Sequence, residues 1–249
     1  MRCFPQMAQY PLLRRRRLRT VVNESADGRR VKLADAAAGL TEWRLAFRDL
    51  ADAEAETLEG FFRECEGRLA PFTFLDPADN LLRWSGKLDE SVWEKGPMLT
   101  LAADAVDARI WHLQNSGAAA QAMAQTLEAP GTYQYCFSVW VRGAGRVTLG
   151  AGELRLEETA GTEWRRLTLA GEPGTGETVR IALELEPGAA VEVFGMQAEA
   201  QLGASGYKPT ASRGGVYENA RFGQDEIRIT STGPDRNECE LKIIHGDGF

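Results

Sequence analysis

Between Thr132 and Gln201 the chain keeps a single period. In TYQYCFSVWVR, residues Tyr133, Tyr135, Phe137, Val139 and Val141 fall on one side and Gln134, Cys136, Ser138 and Trp140 on the other. A two-residue alternation of this kind belongs to a strand with one face in a core. RVTLG, ELRLEET, EWRRLTLAG, TVRIALELE and AVEVFGMQAEAQ repeat it, separated by Gly, Pro and acidic turns. Short alternating segments with regular turns predict a two-sheet β-sandwich.

The first 75 residues read differently. LRTVV (18–22) and VKLAD (31–35) flank NESADGRR, where Asp27-Gly28 suits a hairpin turn. TEWRLAFRDL (41–50) predicts a half-buried strand with Trp43, Leu45 and Phe47 inward. The period then changes: Leu58, Phe61, Phe62 and Cys65 recur at helical spacing, which predicts a helix over about 52–66. Asp52 is placed to cap it and Gly67 to stop it.

FTFLDPADNLLRWS (72–85) joins these two patterns. Phe72 and Phe74 alternate into a core, Asp76-Pro77 makes a turn, and NLL begins a fresh apolar stretch. The last residues, EIRITSTGPDRNECELKII, predict two strands around Gly233-Pro234. Too short to fold alone, they need the N-terminal segment, which itself has only a small core. The chain is thus expected to be mainly β: a discontinuous β-rich domain with one packed α-helix (1–77 and 211–249) and an inserted sandwich (78–210).

Several function classes have little to build on. Four cysteines, Cys3, Cys65, Cys136 and Cys239, show no CxxC spacing, so buried free thiols are expected in place of a zinc or redox site. Only His112 and His245 could serve a histidine relay or metal cage, and no nucleophile elbow or HExxH accompanies them. A glycosidase needs two carboxylates with separated pKa values, and Glu153, Glu157, Glu158 and Glu184 sit at polar strand or turn positions with nothing to select a pair. No enzyme activity, cofactor or metal is expected. No apolar run is long enough to span a membrane, and no signal peptide is visible.

Charge is uneven. Residues 1–19 hold six arginines and no acid, leaving 23 basic and 36 acidic groups, a net of −13, on the remaining 230 residues. The run Arg14, Arg15, Arg16 and Arg17 lacks interleaved aromatics, so nucleic-acid recognition is not expected. An acidic surface on a neighbouring copy is the sharper partner.

Two resemblances follow from these motifs. Trp43-Arg44-Leu45, then Leu58, Phe61 and Phe62, then Gly67, Phe72, Phe74, Asp76 and Pro77 resemble the opening of distal tail and baseplate hub-type proteins of tailed bacteriophages. NLLRWSGKLDESVW, YQYCFSVWVR and VFGMQAEAQLGASGYKPT resemble the carbohydrate-binding-like jelly rolls of phage tail and fibre proteins, with Ala198-Glu199-Ala200-Gln201 shifting the usual ending and Gly206 replacing its serine. The resemblance implies a structural virion protein, assembled in the host cytoplasm and located in the tail. It would form a ring with itself, a hexamer in the family, joining tail tube to hub. The inserted jelly roll implies the alternative, a host-glycan-binding (adhesion) module without a ring role, for which Trp93, Trp111 and Trp140 are the candidate stacking residues, although a tryptophan in a sandwich strand is more often core.

Overall fold

The computed structural model describes residues 2–5 and 7–246; Met1, Gln6 and 247–249 lie outside the description. The chain is mainly β, with fifteen strands and one helix among the described residues. By contacts it divides into two compact units, Met1–Phe74 with Tyr217–Phe249, and Leu75–Val216.

The first unit is a six-stranded sheet with a helix. β1 (Leu13–Glu24), β2 (Arg30–Leu50), β15 (Arg236–Gly246), β13 (Val216–Phe222) and β3 (Phe72–Leu75) lie side by side in that order, and β14 (Ile229–Gly233) pairs with β15. Segments from both ends of the chain therefore share one sheet. The segments expected at 31–35 and 41–50 are a single 21-residue strand, because both keep antiparallel partners on β1. β1 likewise begins well before Leu18 and takes in the arginine run. Between them Gly28 sits at φ 82° and closes the hairpin turn.

Inward residues obey the alternation. Trp43, Leu45 and Phe47 are fully buried, joined by Leu241 and Ile243 of β15. Phe4 sits at the centre, its ring within 6.4 Å of Phe47, Phe61, Phe72, Phe74 and Phe222. The N-terminal arm is thus part of the core: Phe4 N–H donates to Thr73 O, and Thr73 N–H to Arg2 O, both at 2.9 Å. Burying each such side chain is worth about 2 kcal/mol.

Helix α1 (Asp52–Glu64) turns Leu58, Phe61 and Phe62 onto this core and ends before Gly67. Its cap differs from the expectation. The N-cap is Ala51, whose N–H donates to Glu54 Oε2 at 2.9 Å. Asp52 N–H donates to Asp235 Oδ1 at 2.8 Å, and the Asp52 carboxylate accepts from Asn237 Nδ2 at 2.8 Å. Asp52 is spent on that neighbour, so the free helix N–H is met from the β14–β15 turn.

The second unit is a β-sandwich of nine strands. The shared member is β8 (Tyr135–Ala151), 17 residues long. Its first half pairs with β10 (Arg165–Gly171) and β12 (Ala190–Glu199), and β12 continues to β6 (Trp111–Asn115) and β5 (Leu99–Ala103). Its second half pairs with β9 (Leu154–Ala160) and β11 (Val179–Leu185), and β11 continues to β7 (Gln121–Leu127) and β4 (Glu94–Lys95). The crossing point is Gly143 at φ 136°, where an added Cβ would meet Ala190 O at 2.5 Å. Only glycine lets the strand change sheets there. Phe137, Val139, Val141, Leu149, Leu183 and Val193 are among the core residues.

The two ends of this unit are tied together. Asp76 N–H donates to Gly215 O at 2.9 Å and Gly215 N–H to Asn80 O at 2.8 Å. Further in, Ser85 and Thr210 exchange bonds: each backbone N–H donates to the other's hydroxyl at 3.1 Å.

Candidate functional site

The outward side of the sheet β5–β6–β12–β8–β10 carries an aromatic group at its middle. Register sets Phe194 of β12, Trp140 of β8 and Arg166 of β10 in one cross-strand row. Trp140 and Phe194 stack with centroids 5.6 Å apart and planes 7° from parallel. Trp164, just ahead of β10, meets Phe194 edge-on at 4.9 Å. With Asp107, Arg109 and Ile110 from the β5–β6 loop these three rings line a pocket of about 290 Å³. The rings are half-buried, leaving apolar area for a ligand.

Charged groups frame the rings. The Arg142 guanidinium lies 4.7 Å over Trp164, a cation–π contact, while its Nε donates to Glu192 Oε2 at 2.8 Å. Arg109 forks onto Asp107, with Nε–Oδ1 at 2.9 Å and Nη2–Oδ2 at 2.7 Å. This fork, helped by the Arg109 N–H, holds the Asp107 carboxyl at about 2. Asp104 at the base of the same loop is likewise held at about 2, by the Asp107 N–H, His112 and the Val106 N–H. Among the described residues, each carboxyl whose pKa is displaced is displaced downward.

One end of this face is closed by the segment after β12. Glu199 is fully buried and accepts from Gln197 Nε2 at 2.8 Å, Ser205 N–H at 2.9 Å, Lys208 Nζ at 2.9 Å, Gln201 Nε2 at 3.0 Å and the Ser205 hydroxyl. Burial pushes its pKa up, but the Ser205 and Lys208 donors outweigh it and the net shift is down. Gln197 Oε1 also accepts from Lys208 N–H at 2.7 Å. Asn80 joins both edges, donating to Met196 O and Lys208 O and accepting from Leu82 and Ala198 N–H. The residues that begin and end the jelly-roll resemblance are therefore the parts of one clasp.

The sequence candidates fall apart in space. Trp140 lies on the aromatic face. Trp93 and Trp111 are buried, and their indole N–H groups donate to Trp84 O and Gly86 O at 3.1 Å, so neither offers a ring face. Arg14, Arg15, Arg16 and Arg17 are exposed on edge strand β1, but the strand period splits them: Arg14 and Arg16 share a side with Trp43, Arg15 and Arg17 with Glu42. Cys65, Cys136 and Cys239 are buried and Cys3 partly so; all four are free thiols. Among the described residues no metal-binding group of three or more His, Cys, Asp or Glu exists, and no helix is long and apolar enough to cross a membrane.

No family model and no curated protein matches the chain. Solved structures do. "CBM4 structure and function" superimposes with TM-score 0.38 at 10% identity, over 47% of this chain and 98% of that one. The CBM22-1 xylan-binding domain from Paenibacillus barcinonensis Xyn10C gives 0.39 at 16%, over 51% and 97%. The enzymatically active domain of Bacteriophage CBA120 tailspike protein 4 gives 0.41 at 12%, over 51% of this chain and only 22% of that one. At such scores, what the face can do is decided by its own side chains.

Two members of the face were not among the sequence candidates. Phe194 shares parity with Glu192 and so points outward, and an apolar ring at an outward position was a visible signal. Trp164 lies outside the regular strand, where alternation gives no direction.

Proposed function

We propose that the chain is a structural subunit of a phage tail that assembles with copies of itself, and that its sandwich carries a sugar-binding face. One observation supports self-assembly: the distal part of the β1–β2 hairpin is exposed yet apolar. Val21 pairs with Leu33, Val31 lies on the same side, and Leu33 and Val31 are 51% and 55% exposed. A two-stranded ribbon is marginal in water by itself, and an apolar set left on it marks a contact. The hairpin carries five arginines on β1, while the body beyond residue 19 nets −13, so a second copy is the complementary partner. A head-to-tail contact that closes makes a ring; the resemblance to distal tail proteins supplies six as its number, tube and hub as its neighbours, and the virion tail as its location. Particle mass and negative-stain images test this: rings are expected for the native chain, and monomers with an unchanged melt for Val31→Asp/Leu33→Asp. A native chain that stays monomeric at high concentration overturns it.

The second role rests on the Trp140–Phe194–Trp164 pocket. Aromatic faces stack on the apolar side of sugar rings, and the Asp107–Arg109 and Arg142–Glu192 pairs offer fixed polar groups beside them. No reaction is proposed. An array of oligosaccharides should show binding that Trp140→Ala abolishes. Silence of the native chain across the array would remove this role and leave the assembly role standing.

A further inference from the structure

Resting on the sugar-binding role, a finer assignment comes from the three arginines around the rings. Two are neutralised within the fold, Arg142 by Glu192 and Arg109 by Asp107. Arg166 is not. Among the described residues it has no carboxylate partner; its Nη2 donates to Ser138 Oγ at 2.9 Å, and its Nε is shut off from solvent without an acceptor. The nearby carboxylate, Glu199, is already saturated by Lys208 and four other donors. A half-buried guanidinium has five N–H donors and favours acceptance by a planar carboxylate. The Nε itself is closed to a ligand, so the remaining N–H groups of this partly exposed side chain are the ones available to an incoming carboxylate.

We infer that the face takes a carboxylate-bearing sugar, a uronic acid, with its ring against Trp140 and its carboxylate on Arg166. Register sets the two residues directly opposite on adjacent strands, so one sugar unit can touch both. Ser138, itself fully buried, holds the guanidinium in place from below. Phe194 and Trp164 extend the apolar floor to neighbouring units of the chain. The charges at Arg142 and Arg109 are already met and supply orientation, while Arg166 supplies the choice between acidic and neutral sugars.

The test uses the full chain on an array in which each uronic-acid oligosaccharide stands beside its neutral parent. Preference for the acidic member by about tenfold or more is expected, as for one charge-assisted pair in a partly dry site. The preference should fall with added salt. Arg166→Gln should lose the preference while retaining affinity for neutral parents, and Arg166→Lys should keep part of it. Unchanged tryptophan emission and melting of both variants show that the face is intact. Equal binding of acidic and neutral members, or a preference that survives Arg166→Gln, overturns the uronic-acid assignment alone. Absence of binding to either member overturns the sugar-binding role and this assignment with it.

Discussion

Replacing Glu199 by glutamine removes a charge and almost no volume, so its effect isolates the electrostatics of the clasp. The native carboxylate is fully buried and receives five donors from Gln197, Gln201, Ser205 and Lys208. A glutamine oxygen can satisfy about two of them, and its own amide then confronts the rest. Two donors left unmet cost about 1–3 kcal/mol each. Lys208, one-third exposed, can turn to water and reduce the sum, so a loss of about 3 kcal/mol is expected. Five of the six tryptophans, Trp84, Trp93, Trp111, Trp140 and Trp164, lie in this unit, and their emission during urea unfolding reports on it. With an m-value of about 2 kcal/mol/M the midpoint should fall by about 1.5 M. The double variant with Lys208→Met should show a coupling of about 1–3 kcal/mol. The pH dependence has a fixed sign. Because the folded carboxyl lies below its ordinary value of 4.5, its stabilisation is present above that pH and is lost as pH falls through the lower folded value. The native chain should therefore weaken in acid more steeply than Glu199→Gln. A midpoint shift equivalent to less than about 0.5 kcal/mol, the size of an ordinary surface change, would refute the clasp as a stabilising element.

Gly143→Ala forces a side chain into φ 136° and to 2.5 Å from Ala190 O, and a loss of at least about 2 kcal/mol is expected in the same urea assay. Asp235→Ala removes the acceptor for the Asp52 N–H and should cost about 1 kcal/mol, read from the melt of the first unit by circular dichroism. Burial pushes the Cys136 and Cys239 thiols up to about 11, and the Cys65 thiol up as well. At pH 8 these three should react with an aromatic disulfide only as fast as the fold opens, and all at once in denaturant.

What could be seen in the sequence was whatever a strand or helix writes locally. Trp43, Leu45 and Phe47, or Leu58, Phe61 and Phe62, are spaced by their own element, and the structure buries them accordingly. The four strands from β4 to β7 were not separable, because they are short and some of their buried positions hold polar groups such as Asn115 and Gln125, which bond across to other segments. The join between 31–35 and 41–50 was hidden because the intervening Ala-Ala-Ala-Gly has no polar partner to alternate with. Glu199 is the clearest case of a residue that local pattern misplaces: a charged side chain at a strand end reads as exposed, and only donors from 201–208 folding back over it make burial tolerable. Of the site, Trp140 was legible from its parity, whereas Arg166 gained meaning only when Glu192, Asp107 and Glu199 proved to be engaged by other donors.

The adjacency of Asp76 and Gly215 also sets how the sandwich bears load. Tension delivered through its two junctions would peel the paired ends apart one bond at a time, first Asp76 from Gly215, then Ser85 from Thr210, with the Glu199–Lys208 pair next in line. Strand β8, bonded on both edges in each sheet, would have to be sheared along its length to yield. A pull through the two junctions would thus spend itself at the clasp and leave the aromatic face still formed.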